Sequence, residues 1–151
     1  MIKARFVHAN LVAHDWRLLA RFYEQVLGCV PVPPERELKG ERLEAVTGVP
    51  GAHVQGVHLR LPGYGEVGPT LEIFGYEPQM ERLETAANRP GFAHIAFAVD
   101  DVEAACKAVV AAGGGTVGPI VPLPVAGAGT VTVVYATDPE GNIVELQRWS
   151  T

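Results

Sequence analysis

Cysteine is scarce in this chain: Cys29 and Cys106 are the only two among 151 residues. A disulfide framework is therefore excluded as the means of holding the fold. Two isolated thiols in different halves fit small buried residues in a reducing cytoplasm. Long apolar runs are missing too, and none approaches the roughly 20 residues a membrane helix needs. The N-terminal stretch from Met1 to Arg5, followed by His8, Asn10 and His14, has no apolar segment, so no signal peptide is expected. Basic clusters are also absent. Twelve Lys and Arg stand against seventeen Asp and Glu, a net charge of −5. That balance argues against nucleic acid or an anionic membrane as the main partner. What remains is an ordinary hydrophobic fraction of 48%, enough for one globular unit with a sizeable core.

Along the chain, residues 5–13 are rich in β-formers and alternate weakly, which predicts a strand. Asp15 then caps a helix from Trp16 to Leu27, with Leu18, Leu19, Phe22, Tyr23, Val26 and Leu27 as its apolar stripe. Gly28 ends it in the place of a left-handed residue, and Pro31, Pro33 and Pro34 forbid its continuation. Glu35 to Gly51 gives little signal beyond a short helix at Glu41–Val46. Strands are expected at His53–Leu61 and Thr70–Tyr76, joined by a turn at Pro62-Gly63-Tyr64-Gly65. A polar connector follows, with one helical turn at Met80–Ala86. A strand through His94 comes next. Asp100 and Glu103, at the spacing of an acidic cap, open an alanine-rich helix over Val102–Ala112. Gly113-Gly114-Gly115 ends it, and Gly118, Pro119, Pro122 and Pro124 mark loops. Ala126-Gly127-Ala128-Gly129 reads as a flexible hairpin or lid. Strands at Thr130–Ala136 and Ile143–Trp149 flank a tight turn, Asp138-Pro139-Glu140-Gly141-Asn142.

The two halves repeat. At one offset His8 falls on His94, Asp15 on Asp101 and Gly28 on Gly114. At a shorter offset Leu71-Glu72-Ile73 matches Val144-Glu145-Leu146. Each half is strand, helix, then strands, with a histidine on its first strand and a glutamate on its last. Duplication of this kind predicts an α+β fold of two like modules, at roughly 1–78 and 90–151.

Glu72 and Glu145 each sit between aliphatic neighbours on a strand. A carboxylate there is costly unless it is paired or bound to a cation. One divalent ion held by His8, Glu72, His94 and Glu145 resolves both costs, and such a mixed nitrogen and oxygen set leaves room for substrate oxygens. Asn10, Phe74, Tyr76 and Gln147 share strand faces with these residues and are candidates to line a substrate pocket. His14 is expected to be exposed near the helix cap. His53 and His58 read as strand surface residues or as donors behind the ligands.

Phe22-Tyr23-Glu24-Gln25-Val26-Leu27-Gly28 and Asp138-Pro139-Glu140-Gly141-Asn142-Ile143-Val144-Glu145-Leu146 resemble the vicinal oxygen chelate superfamily. That superfamily takes in glyoxalase I, methylmalonyl-CoA epimerase, extradiol dioxygenases, and fosfomycin- and bleomycin-resistance proteins. The resemblance spans nearly the whole chain. It implies a single domain over 1–151 built from two βαβββ modules with curled sheets around a cleft, often as a homodimer. It places His8, Glu72, His94 and Glu145 on the family's four ligand positions, for Ni, Co, Zn, Mn or Fe. A carboxylate at the second position tilts the chain toward lyase and isomerase members. There the implied chemistry is proton transfer next to a carbonyl through a metal-stabilised enediolate, with Glu145 or Glu72 as general base and acid. The alternatives are an Fe(II) extradiol-type dioxygenase and a non-enzymatic antibiotic-binding protein. Val12 and Tyr76 stand where bacterial glyoxalase I has an arginine and an asparagine that hold glutathione, which counts against the glutathione hemithioacetal as substrate.

Overall fold

A computed structural model describes residues 1–150 and resolves the chain into two compact units, Met1–Glu81 and a second that starts at Arg82. The first unit begins with β1 (His8–Val12) and α1 (Trp16–Leu27), continues through β2 (Val30–Lys39), α2 (Glu41–Thr47) and β3 (His53–Arg60), and ends with β4 (Thr70–Glu77). Its four-stranded sheet has the order β1-β4-β3-β2. The second unit runs β5 (His94–Ala98), α3 (Val102–Ala111), β6 (Gly115–Thr116), β7 (Val121–Val125), β8 (Gly129–Thr137) and β9 (Ile143–Ser150). Its sheet has the order β5-β9-β8-β6, with β7 paired to β8. These are two mixed sheets and three helices, the α+β architecture expected from the repeat.

The helices form where the caps place them. Asp15 accepts from Leu18 N at 2.9 Å, and Gly28, at φ 70°, closes α1. Asp101, rather than the predicted Asp100, caps α3 by accepting from Ala104 N at 3.0 Å. Each carboxylate satisfies a first-turn N–H that the helix leaves open. One face of α1 buries Trp16, Leu19, Ala20, Phe22 and Tyr23, while Leu18 turns outward at 45% exposure. That face packs on β3 and β4, where Val57, Leu59, Leu71 and Ile73 are buried. α3 packs in the same way on β8 and β9, burying Val102, Cys106 and Val109 in the layer that holds Val134, Ala136, Val144 and Leu146. Each fully buried aliphatic or aromatic side chain contributes about 2 kcal/mol, so these two helix–sheet layers carry most of each unit's stability. Both cysteines are free and buried, and burial, with Glu24's charge second, pushes the Cys29 thiol up to about 12.

The differences from expectation fall on proline-rich and polar stretches. β2 runs through Pro31, Pro33 and Pro34, where no strand was expected, and β7 through Pro122 and Pro124, which were expected to mark loops. β2 is an edge strand, and a missing ladder N–H is tolerated at an edge. The predicted turn of helix at Met80–Ala86 is absent. Arg82 there donates to Asn142 Oδ1 at 3.0 Å and Thr85 to the Gly141 carbonyl at 2.8 Å, so this segment is tied to the last turn of its own unit. Ala126–Ala128 is the tip of the β7–β8 hairpin, closed by Ala128 N donating to Val125 O.

The Asp138–Asn142 turn is organised by a buried carboxylate. Asp138 is 2% exposed and accepts from Glu140 N, Asn142 N and Asn142 Nδ2 at 3.0, 2.9 and 2.7 Å. Asp138→Ala takes the acceptor from three part-buried donors, and is expected to destabilise the protein by about 2 kcal/mol in urea unfolding. A change below about 1 kcal/mol would mean that the turn stands without its carboxylate.

Candidate metal centre

The topology of each unit explains how distant residues meet. β1 lies parallel against β4, so that His8 pairs with Thr70 and Asn10 with Glu72. β5 lies parallel against β9 in the same register, His94 with Ile143 and Ala96 with Glu145. Side chains alternate across a strand, so the histidine and the glutamate share a face one diagonal step apart. In the first unit this is the face away from α1, since Gly75, on the opposite face of β4, meets Trp16 of the helix.

In the first unit His8 Nε2 lies 3.1 Å from Glu72 Oε2. Asn10 Nδ2 donates to the same oxygen at 3.3 Å. The other oxygen, Oε1, is 2.7 Å from His58 Nε2. His58 Nδ1 in turn is 3.3 Å from Thr70 Oγ1, which fixes the ring from behind. The His8 and His58 rings stand edge to face, 5.7 Å apart, and Phe74 packs edge-on to His58 at 6.1 Å. Ligand atoms of His8, His58 and Glu72 all lie within 4.8 Å of one another. Two imidazole nitrogens and a carboxylate oxygen at that spacing suit a borderline divalent ion after a small closing movement.

His58 takes the second of its two expected places, a donor behind a ligand rather than a strand surface residue. The β3–β4 hairpin sets it opposite Glu72, on the ligand face. Burial lowers its pKa; Glu72's charge opposes this, and Arg36 and His8 add to it. His53 lies on the other face, 2.5 Å from Glu37 Oε1, and Gln55 donates to Glu37 Oε2, also at 2.5 Å. Those two bonds, the Gln55 one first, hold the Glu37 carboxyl below its usual range. His14 is exposed, as expected.

The second unit carries the matching pair. His94 Nε2 is 3.0 Å from Glu145 Oε2, with side-chain exposures of 30% and 15%. Opposite Glu145, where the first unit has His58, stands Tyr135, whose ring lies 4.9 Å from that of His94. The two pairs thus differ in their support: among the described residues Glu72 has three polar partners and Glu145 one. Of the remaining pocket candidates, Tyr76 pairs with Val54 on the Glu72 face, and Gln147 accepts from Trp149 Nε1 at 2.9 Å.

Residues 5–146 match the family model for the glyoxalase/bleomycin resistance protein/dioxygenase superfamily. The chain belongs to that superfamily. Within it, the chain is 28% identical over 149 residues to a probable lactoylglutathione lyase of Vibrio parahaemolyticus, covering 97% of this chain and 91% of that one. Among solved structures, a glyoxalase family protein from Bacillus cereus superposes with a TM-score of 0.76 at 19% identity, over 100% of this chain and 96% of that chain. A genomically encoded fosfomycin resistance protein from Listeria monocytogenes gives 0.64 at 17% identity, over 99% and 96%. At these identities the superpositions speak for the glyoxalase-like fold. Among the described residues no helix is long and apolar enough to cross a membrane.

Proposed function

We propose that this superfamily member is a metal-dependent lyase or isomerase, moving a proton next to a carbonyl of a small oxygenated substrate. His8, Glu72, His94 and Glu145 are its ligands to one divalent ion (Ni, Co, Zn, Mn or Fe) in a cytoplasmic homodimer. The observation that carries this is the matched pairing: each unit sets its histidine within 3.1 Å of its glutamate at the same register. The relative named as a lyase supports the same class.

A divalent ion in such a set supplies Lewis acidity to two neighbouring substrate oxygens. The protein's residues divide the remaining work. His58 keeps Glu72 Oε1, which leaves Oε2 to act beside His8 Nε2. Glu72 is therefore a fixed acid. Among the described residues Glu145 meets only His94, through Oε2, so Oε1 is open to take the proton from the carbon next to the carbonyl and to return it. Asn10 orients Glu72 and does not itself titrate.

Elemental analysis of purified protein tests this. One ion per chain is expected, with occupancy falling in both His8→Ala and His94→Ala. Full occupancy in His94→Ala would instead assign the ion to the first unit alone, a second reading that the His8, His58 and Glu72 cluster favours. An Fe(II) dioxygenase would consume O₂ with a catechol and tolerate loss of Glu72. A pure binding protein would hold a drug-sized ligand and no metal.

A further inference from the structure

The ligand face of the first unit carries two arginines that the chemistry above does not use. Arg36 on β2 pairs with Gly56, and Arg60 on β3 pairs with Thr70. Gly56, His58 and Arg60 alternate onto one face of β3, so both arginines share the face of His58 and Glu72. Arg60 is two residues along from His58, and Arg36 is one strand over. Each is half-buried. Neither guanidinium has a carboxylate within ion-pair distance among the described residues, unlike Arg17, which reaches Glu35 at 3.2 Å.

The placement of Arg36 is built rather than incidental. The β2–β3 register jumps between Val32, opposite His58, and Arg36, opposite Gly56. The jump is an irregularity of the bulge type, and bulges next to active sites re-aim side chains. Arg36 Nη1 also donates to the Pro34 carbonyl within that irregularity, which orients the guanidinium. Gly56 opposite carries no side chain, and the Phe74 ring lies over it. Arg36 is near enough to His58 to help depress its pKa. An arginine pair flanking a single carboxylate leaves this face cationic, and a guanidinium suits carboxylate or phosphate oxygens.

We propose that the substrate carries an anionic group, a carboxylate or phosphate, in addition to the two oxygens that chelate the ion. Arg36 clamps that group, and Arg60 supports it. This rests on the metal-dependent reading. The recognised molecule is a short oxygenated acid or phosphorylated compound rather than a neutral hydroxyketone.

Three probes share one chelating head and differ in the tail: acetohydroxamate (neutral), succinate monohydroxamate (carboxylate) and phosphonoacetohydroxamate (phosphonate). Each is titrated into Co(II)-loaded protein, followed by the cobalt visible spectrum and by calorimetry. At least one anionic probe is expected to bind tenfold or more tighter than acetohydroxamate, and which one does so separates the two anions. Arg36→Gln should remove most of that preference without changing acetohydroxamate affinity, Arg36→Lys should keep part of it, and Arg60→Gln should weaken it less. Equal affinity for all three probes, or a preference that survives Arg36→Gln, overturns the proposal while the cobalt response upholds the metal centre. Anionic probes that bind in an Arg36-dependent way without moving the cobalt spectrum uphold the clamp and overturn the metal reading. No binding of any probe overturns both.

Discussion

Glu145→Gln is expected to lower turnover by about 10²–10⁴-fold at saturating metal, the range that a positioned general base supplies. The readout is exchange of solvent deuterium into the carbon next to a carbonyl, followed by NMR across a panel of hydroxyketones, hydroxy acids and acyl thioesters. The substitution keeps the shape of the side chain, so His94 Nε2 can still meet an oxygen at this position. It removes the basic lone pair, because an amide does not accept a proton near neutral pH. Glu72→Gln should behave differently. Glu72 faces His58 on one oxygen and His8 and Asn10 on the other, so an amide there turns an NH₂ group toward at least one of these partners. Its first deficit is therefore in metal retention. Wild-type exchange in Glu145→Gln would remove Glu145 from the proton path. Equal losses in both variants would mean that both acids act only as ligands.

The contrast between the two acids was not visible in the sequence, although the acids themselves were. A glutamate between Leu71 and Ile73, and another between Val144 and Leu146, already implied a carboxylate on a strand whose other face is apolar. Repetition of the histidine and the glutamate in each half fixed which residues to pair, because a parallel first and last strand is how such a module closes. Which of His53 and His58 stands behind the ligands could not be read, because that depends on hairpin register. Between β3 and β4 lies a loop of nine residues, and only the actual pairing sets His58, rather than a neighbour, opposite Glu72. Tyr135 escaped for the same reason, although the tight Asp138–Asn142 turn makes its pairing with Glu145 easier to foresee. The edge strands β2 and β7 were hidden by proline, which reads as a loop when the sheet position is unknown. Arg36 was hidden twice, by lying on one of those strands and by following its irregular register.

The second large effect concerns the floor of the ligand face. Gly56→Ala is expected to destabilise the protein by about 3 kcal/mol or more, beyond the common range for a single substitution. A Cβ at this position would overlap the Ile73 carbonyl oxygen and come within 2.5 Å of Phe74 Cδ1. The ring could swing away, but the carbonyl belongs to the backbone of β4 at the centre of the sheet. Relief therefore requires β3 and β4 to part next to where His58 and Glu72 face each other, two pairs along. Glycine inside a strand marks such a close approach. The expected result in urea is a lower midpoint with an unchanged slope, together with weakened metal binding in the fraction that folds. Gly118→Ala is the matched control: its Cβ would meet nothing within 4 Å and its φ is not positive, so a change within about 0.5 kcal/mol is expected. If the two variants unfold alike, β3 has slack at Gly56. The placement of His58 against Glu72 would then have to come from the hairpin register alone, without the contact between Phe74 and the bare glycine backbone.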